Sequence, residues 1–548
     1  MKSCQFRKVA LLLAFLFLAG ISGLADELKT ERLAGTTAQN PGHKDKPGRS
    51  PRTWRAIAEE TLLFGSSTIQ YWSNYDNFSV DWQFTWKTFG RKFFTKESPR
   101  LDSNHFYFNW SHAWAGAGYY TMARANGFNN RLSFLFSLAT SSIWESFVEW
   151  RELISINDVV FTSFGGPAIG EPLFQVSSYF SQKKGFWNSL AGFIFNPFLT
   201  LNNLIDHKHG SSSNSAPDPG WHRFMVYAGL QQDLVTPQGT GAVAQSGSWD
   251  RCFNLGLDLV TQTLAPEEPA KNVSGFYPDT LAAGFSLNFA FSRAGMEEIQ
   301  VQTSAVLFGW NWPGPRHDSE SINSGNSYFL GYGTAFEVFK KRSVAWYDQW
   351  YDNSNDVEAD DQAGSAIGRL YRPTPTQFTD KLAVISPAGV VFVLSSYKPK
   401  LRLRWTSAGY ADFAMVNSLP YNRFTANHDN SGVKTTLLNW GYYYAIGTTI
   451  SSEIDVSCNQ WRLAGLVSHQ AYQSIQGLDR YQYLGLITED FRLSDTRLRW
   501  RFLLGYRLHH TPIELGLTAE GISRRGWLPE LTDHYAEHRY YYHLRFIF

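Results

Sequence analysis

Between Leu101 and His209 the chain sets ionisable side chains among apolar ones. His112, Gly116, Tyr120 and Arg124 fall four residues apart, which on a helix is one face. Ser141, Glu145 and Glu149 repeat that spacing on the next apolar run, and Asp158 and Glu171 follow. A histidine with carboxylates is equipment for general acid–base catalysis, and an arginine grips a phosphate or carboxylate. On that reading His112, Glu145, Glu149 and Asp158 are the candidate catalytic groups. Arg124, Tyr120, Asn126 and Glu171 are the candidate substrate-binding groups. The same residues also read as a satisfied polar network that locks helices together. Two carboxylates one turn apart in an apolar setting need partners, and Arg124 and His112 from the neighbouring helix are the partners expected. A divalent metal is a third use, but no HExxH or similarly spaced ligand set is present, so no metal or cofactor is expected. His207 and His209 adjoin the loop KHGSSSNSA and read as surface histidines. The chain has no GxSxG element and no glycine-rich phosphate loop.

The elements that must hold these residues are helices. Thr53 to Ser66 reads as a first helix. His112 to Asn126 reads as another, stopped by Gly127. Arg131 to Glu152 reads as a buried helix of about six turns. Ser155 and Asn157–Asp158 suit caps or turns, Gly165–Gly166–Pro167 breaks the chain, and Pro167 opens a further helix with Glu171 in its first turns. Trp187 to Leu204 is an apolar run interrupted at Asn196–Pro197.

The order His112, Gly116, Tyr119–Tyr120, Arg124, Asn126–Gly127, then Ser141, Trp144–Glu145, Glu149, then Ser155, Asn157–Asp158, Thr162, Gly165–Gly166, Gly170–Glu171 resembles the DUF3943 family of uncharacterised bacterial envelope proteins. The resemblance covers about residues 75–210. It implies an envelope location and brings no activity.

The flanks carry a second message. Lys2, Arg7 and Lys8 precede the apolar run Val9 to Ala19, and GISGLA leads to Asp26. This reads as a secretory signal peptide over 1–25, too short for a span. Residues 26–52 read as a flexible leader. The net charge of +1 gives no basic nucleic-acid footprint. Aromatics make up 16% of the chain. After the leader the cysteines are Cys252 and Cys458, enough for one disulfide and no cysteine metal site.

Beyond a Ser/Pro/Gly linker at 211–221 the pattern becomes period-2 alternation. Leu498, Trp500, Phe502, Leu504 and Tyr506 alternate with Arg497, Arg499, Arg501, Gly505 and Arg507. An arginine on a lipid face near the midplane costs about 2–4 kcal/mol, so Arg497, Arg499, Arg501 and Arg507 are expected in a barrel lumen. At the end of the chain Tyr540, Tyr542, Leu544, Phe546 and Phe548 form an apolar face against Arg539, Tyr541, His543 and Arg545. That ending resembles the signal read by the barrel-assembly machinery. Twelve strands are expected, near 223–234, 252–263, 279–292, 296–312, 327–342, 381–396, 399–414, 435–453, 459–474, 491–509, 512–525 and 538–548. Residues 352–362 and 422–432 read as long outer loops.

The fold expected is therefore a membrane all-β protein: an antiparallel outer-membrane barrel of about twelve strands over 222–548, with an N-terminal α-helical domain over 53–210. That domain is expected on the periplasmic side, against the barrel mouth or plugging it. The expected partners are outer-membrane lipid, the assembly machinery and a periplasmic partner of unknown identity, with no nucleic acid. The functions left open are a structural, transport or lipid-handling role, an envelope hydrolase for a lipid or phosphorylated glycan, and a narrow gated channel.

Overall fold

Period-2 alternation from Trp221 onward produces strands whose backbone groups can be satisfied only by neighbours, and the chain closes them into a ring. A computed structural model describes residues 51–73, 85–150, 152–206, 221–238, 249–264, 274–293, 295–313, 325–341, 380–421, 424 and 428–547. Twelve antiparallel strands form the barrel: β1 Trp221–Gln238, β2 Trp249–Gln262, β3 Ala282–Ser292, β4 Gly295–Pro313, β5 Gly325–Lys341 and β6 Asp380–Lys398, then β7 Leu401–Asn417, β8 Tyr442–Cys458, β9 Trp461–Ser474, β10 Ser494–Arg507, β11 Ile513–Leu528 and β12 Leu531–Ile547. Each pairs with the next, and β12 closes on β1 through Leu230↔Tyr542 and its neighbours. A three-residue strand, Gly275–Tyr277, adds to the edge of β4. The expected strand near 435–453 begins later. Thr435–Trp440 is a short helix, ended by Gly441 at φ 67°, and β8 starts after it.

Parity along each strand separates lumen from exterior. In β12, Arg539, Tyr541, His543 and Arg545 point inward, and Tyr540, Tyr542, Leu544 and Phe546 are exposed outside. In β4, Glu298 and Gln300 bond Arg539 and Arg499 across the lumen and Gln302 bonds Glu337 on the neighbouring β5, so Ile299, Val301, Thr303 and Ala305 face out. An exterior of Leu, Phe, Tyr and Trp around a charged interior is the pattern of a bacterial outer-membrane barrel with transmembrane strands.

Before the barrel come α1 Thr53–Ser73, α2 Trp86–Phe94, α3 Phe106–Ala125, α4 Asn130–Ile143, α5 Ile156–Gly165, α6 Glu171–Ser181, α7 Phe186–Phe195 and α8 Pro197–Ile205. The predicted helix Arg131 to Glu152 stops early: α4 passes into a π-turn, Trp144–Val148, and the chain leaves the helix at Glu149. A second π-turn, Gly166–Gly170, joins α5 to α6. Gly116 of α3 and Gly165 of α5 let these helices touch backbone to backbone. A Cβ on Gly116 would lie 1.7 Å from the Thr162 carbonyl oxygen.

The helices pack on the outside of the barrel. Phe161 and Ile169 join the outward Val301, Phe336, Val338, Ala383, Ile385, Phe413 and Met415 in one core. Farther along, Val176, Tyr179 and Phe180 cover the outward Phe224, Leu259 and Phe285. Thr303 Oγ1 donates to the Ala168 carbonyl at 2.7 Å. The helical unit thus does not take the plugging or mouth-docked position expected of it, because the apolar faces it needs to bury against lie on the wall. The signal peptide, the leader up to residue 50, the linker up to residue 220 and residues 352–362 lie outside the described residues.

Candidate functional site

The seam between helices and wall holds two polar clusters. The first lies near the end of the barrel that carries the long connections 418–441 and 475–493. His105 caps α3 and Ser155 caps α5, which brings Asn109 and Asn157 together at the helix starts. Asn157 Nδ2 lies 3.1 Å from both Asp102 Oδ1 and Asn109 Oδ1, and 2.9 Å from Asp158 Oδ1. Asn109 Nδ2 reaches the hydroxyls of Tyr442 and Tyr444 on the barrel wall, each at 2.7 Å. His112 Nδ1 donates to the Phe108 carbonyl at 2.7 Å and lies 3.5 Å from Asp158. At the rim beside it, Glu145 accepts from the Ser155 N–H at 3.0 Å and Glu149 from Trp144 Nε1 at 2.8 Å. Burial pushes the Glu145 carboxyl well above its usual range. Burial, reinforced by the charge of Glu152, pushes Glu149 up to about 8. Burial also lowers Lys92, which donates to the Glu149 carbonyl, to about 8.

The second cluster lies near the opposite end, where β1 begins and β12 finishes. Glu171 sits at 0% exposure and collects donors: Tyr120 Oη at 2.7 Å, Thr280 Oγ1 at 2.7 Å, Gln175 Nε2 at 2.6 Å and Arg124 Nη2 at 3.1 Å. Arg124 also donates to the Phe128 carbonyl and stacks over the Phe174 ring at 4.4 Å. Asn126 ties α3 to Glu59 of α1 at 2.7 Å.

The lumen is a third polar region. Near the long-connection end it is crossed by ion pairs: Arg497 and Arg524 on Asp380 and Asp495, Arg539 on Glu298 and Glu537, and Lys341 on Asp233 and Glu537. Above them Tyr421, Phe424, Val433 and Leu437 pack on the inward Leu382, Val384, Tyr443 and Tyr472. Of the piece 422–432, expected as an outer loop, Phe424 therefore turns into the lumen together with the flanking Tyr421, Val433 and Leu437, since these apolar residues find their partners there. Below the ion pairs is a cavity of about 340 Å³. Arg499, bonded to Glu520, lines it, as do Arg404 and Arg501, the carboxylates Asp258, Glu337 and Glu453, and the apolar Val306, Val391, Val393 and Ala408. Among the described residues no carboxylate lies within 4.0 Å of Arg404 or Arg501. Arg507 sits at the rim and donates to the Thr511 carbonyl.

Residues 98–198 match the family model described as "Domain of unknown function (DUF3943)". The chain carries a DUF3943-like segment followed by a closed β-barrel. No curated protein matches it. Among solved structures it is similar to the translocator domain of the autotransporter NalP from Neisseria meningitidis, at 11% identity over 60% of this chain and 88% of that one, TM-score 0.18. It is similar also to the outer-membrane channel DcaP of Acinetobacter baumannii, at 10% identity over 60% and 96%, TM-score 0.19. A Pseudomonas aeruginosa FadL homologue gives 9% identity over 60% and 90%, TM-score 0.20.

Within the DUF3943-like segment the candidate residues divide between the two clusters. His112 and Arg124 stand twelve residues apart on α3, about 18 Å along its axis. His112, Asp158 and the Glu145–Glu149 corner belong to one end; Arg124, Tyr120 and Glu171 to the other. Neither Glu145 nor Glu149 is paired with His112 or Arg124 in the way their spacing suggested. The partners that sequence reasoning missed are Asp102, Asn109, Asn157, Thr280, Tyr442 and Tyr444. The two tyrosines and Thr280 come from the barrel, more than a hundred residues away, and no local spacing marks them. Cys252 is buried and Cys458 exposed, and both are free thiols, so the possible disulfide does not form.

Proposed function

We propose that the protein is a gated outer-membrane transporter for a small anionic or amphipathic solute, with the helical unit holding the gate. The observation that carries this reading is the lumen cavity of about 340 Å³, where six arginines (Arg223, Arg404, Arg462, Arg499, Arg501 and Arg545) outnumber four carboxylates (Asp258, Glu337, Glu453 and Glu520) beside an apolar patch. A volume in that range suits a small ligand, and guanidiniums in excess of acids favour an anion. The ion-pair layer and the described residues of connection 418–441 close one end. That connection is tied outward: Lys434 Nζ bonds Asp479 at 2.8 Å and Asp490 at 2.7 Å, Trp440 Nε1 donates to the Ser103 carbonyl at 2.9 Å, and Leu101 N donates to the Leu478 carbonyl at 2.9 Å. The helical unit and the closing segment thus share one set of bonds. The barrel end with the short connections 399–400 and 459–460 and both barrel termini faces the periplasm on this reading.

The hydrolase alternative loses support from the same geometry. An acid, a base and an anion-gripping arginine must meet at one reacting atom, and here they stand about 18 Å apart in mutually bonded clusters. The test is single-channel conductance of the purified chain in planar bilayers. The wild type is expected to be silent, and Lys434→Ala, which frees connection 418–441, is expected to conduct in discrete steps. A folded Lys434→Ala protein as silent as the wild type would overturn the gate.

A further inference from the structure

The surface that the helical unit turns away from the barrel is inverted relative to a water-soluble helix bundle. A helix facing water puts its charges outward and its apolar stripe inward. In α1 every exposed position is uncharged, among them Trp54, Leu62 and Ile69 at 85%, 74% and 70% exposure. Its charged residues turn inward: Arg55 to Asp206 and Glu59, Glu59 to Asn126, Glu60 to Thr140. The twenty residues of α7 and α8, Phe186 to Ile205, contain no charged residue at all, yet Trp187 and Ile194 are 77% and 66% exposed. The barrel exterior beside them follows the same rule, with Leu498, Phe502 and Ile450 exposed.

The helices also run the height of the wall. The start of α1 bonds Asp206 and Asn202 near the barrel-terminal end, and its last turn reaches Glu152 and Val148 near the other. Among the described residues of the helical unit the exposed lysines are Lys87 and Lys96 toward one rim and Lys183 and Lys184 toward the other, beside Trp86 and Trp187, as in interfacial belts. Contacts inside the unit use small residues: Ala113 of α3 meets Gly165, Ala117 meets Gly170, and Gly166 lies against Ser137, the packing that holds helices together where lipid removes the hydrophobic drive.

We propose that the helical unit lies within the bilayer alongside the barrel, with its outer face of Trp54, Leu62, Trp187 and Ile194 against lipid acyl chains. Whatever covers an outward barrel wall occupies the space of lipid. A unit that presented this face to water would expose a large apolar patch. No described helix is long and apolar enough to cross a membrane alone. These helices do not have to, because only one side of each meets lipid and the polar sides close on one another and on the wall.

The test is collision accessibility of nitroxide labels on the full chain in phosphatidylethanolamine–phosphatidylglycerol vesicles, in a Cys458→Ser background. Labels go at Leu62→Cys and Ile194→Cys, with Leu498→Cys as the lipid-facing reference and Asp429→Cys as the water-facing one. Heat-modifiable gel mobility checks each barrel. At both test positions, collision with a polar nickel chelate should fall at least about tenfold below that at Asp429→Cys, with oxygen collision as high as at Leu498→Cys. High nickel collision would mean a water-facing unit, and low collision with both reagents would mean a second copy covering the face; either result overturns the proposal.

Discussion

Replacing Gly116 by alanine should detach the helical unit without unfolding the barrel. The added Cβ would lie 1.7 Å from the Thr162 carbonyl oxygen, 2.7 Å from its carbon and 3.2 Å from the Gly166 nitrogen. All three are backbone atoms and cannot rotate away, so α3 and α5 must separate. Relief to an ordinary contact near 3.2 Å requires a shift of about 1.5 Å, which forfeits much of the dispersion energy at the crossing. Overpacking of this kind costs about 1–3 kcal/mol. Because α5 carries Phe161 and the following turn carries Ala168, two of the contacts on the outer wall, the shift is passed to the seam. The opening equilibrium of the unit should therefore rise about 5- to 150-fold. Limited proteolysis in detergent micelles reads this as faster cleavage within 98–198, while heat-modifiable mobility reports an intact barrel. Wild-type protease resistance in Gly116→Ala would refute the close crossing of α3 and α5.

Three further outcomes follow from the buried carboxyl groups and their partners. Arg124→Met strands the buried Glu171 carboxylate and should cost the helical unit about 3–5 kcal/mol, whereas Arg124→Met with Glu171→Leu should recover most of it, read by the same proteolysis. Asp380→Asn removes the acid shared by Arg497 and Arg524, and should lower the temperature at which the barrel loses its fast gel mobility. Glu145→Gln keeps an oxygen for the Ser155 N–H and removes a charge that burial disfavours. It should leave barrel assembly and the envelope-lipid profile unchanged, and a changed lipid profile in a folded protein would revive the enzyme reading.

The barrel was legible because alternation is a local signal. Tyr540, Tyr542, Leu544 and Phe546 announce a lipid face from their own spacing, and the arginine row in β10 announces its opposite. The helix inside the strand expected near 435–453 was hidden because TTLLNW is as apolar as the strand after it. The candidate site was less legible. Spacing of four places His112 and Arg124 on one face of α3 but says nothing of how far apart on that face their partners dock. Tyr442 and Tyr444 read as ordinary aromatic exterior, and only the fold reveals that a helix start bonds them. The position of the helical unit was hidden for the same reason: an outward Phe413 looks identical whether lipid or Phe161 covers it.

The claim on which the account turns is that the helical unit rests on the outside of the barrel wall. The most direct measurement is disulfide cross-linking in isolated outer membranes, with Ala168→Cys combined in turn with Thr303→Cys, which faces out, and Ser304→Cys, which faces the lumen, both in a Cys458→Ser background. The account predicts a cross-link with Thr303→Cys and none with Ser304→Cys. A cross-link to Ser304→Cys alone would place the helices in the lumen and contradict it.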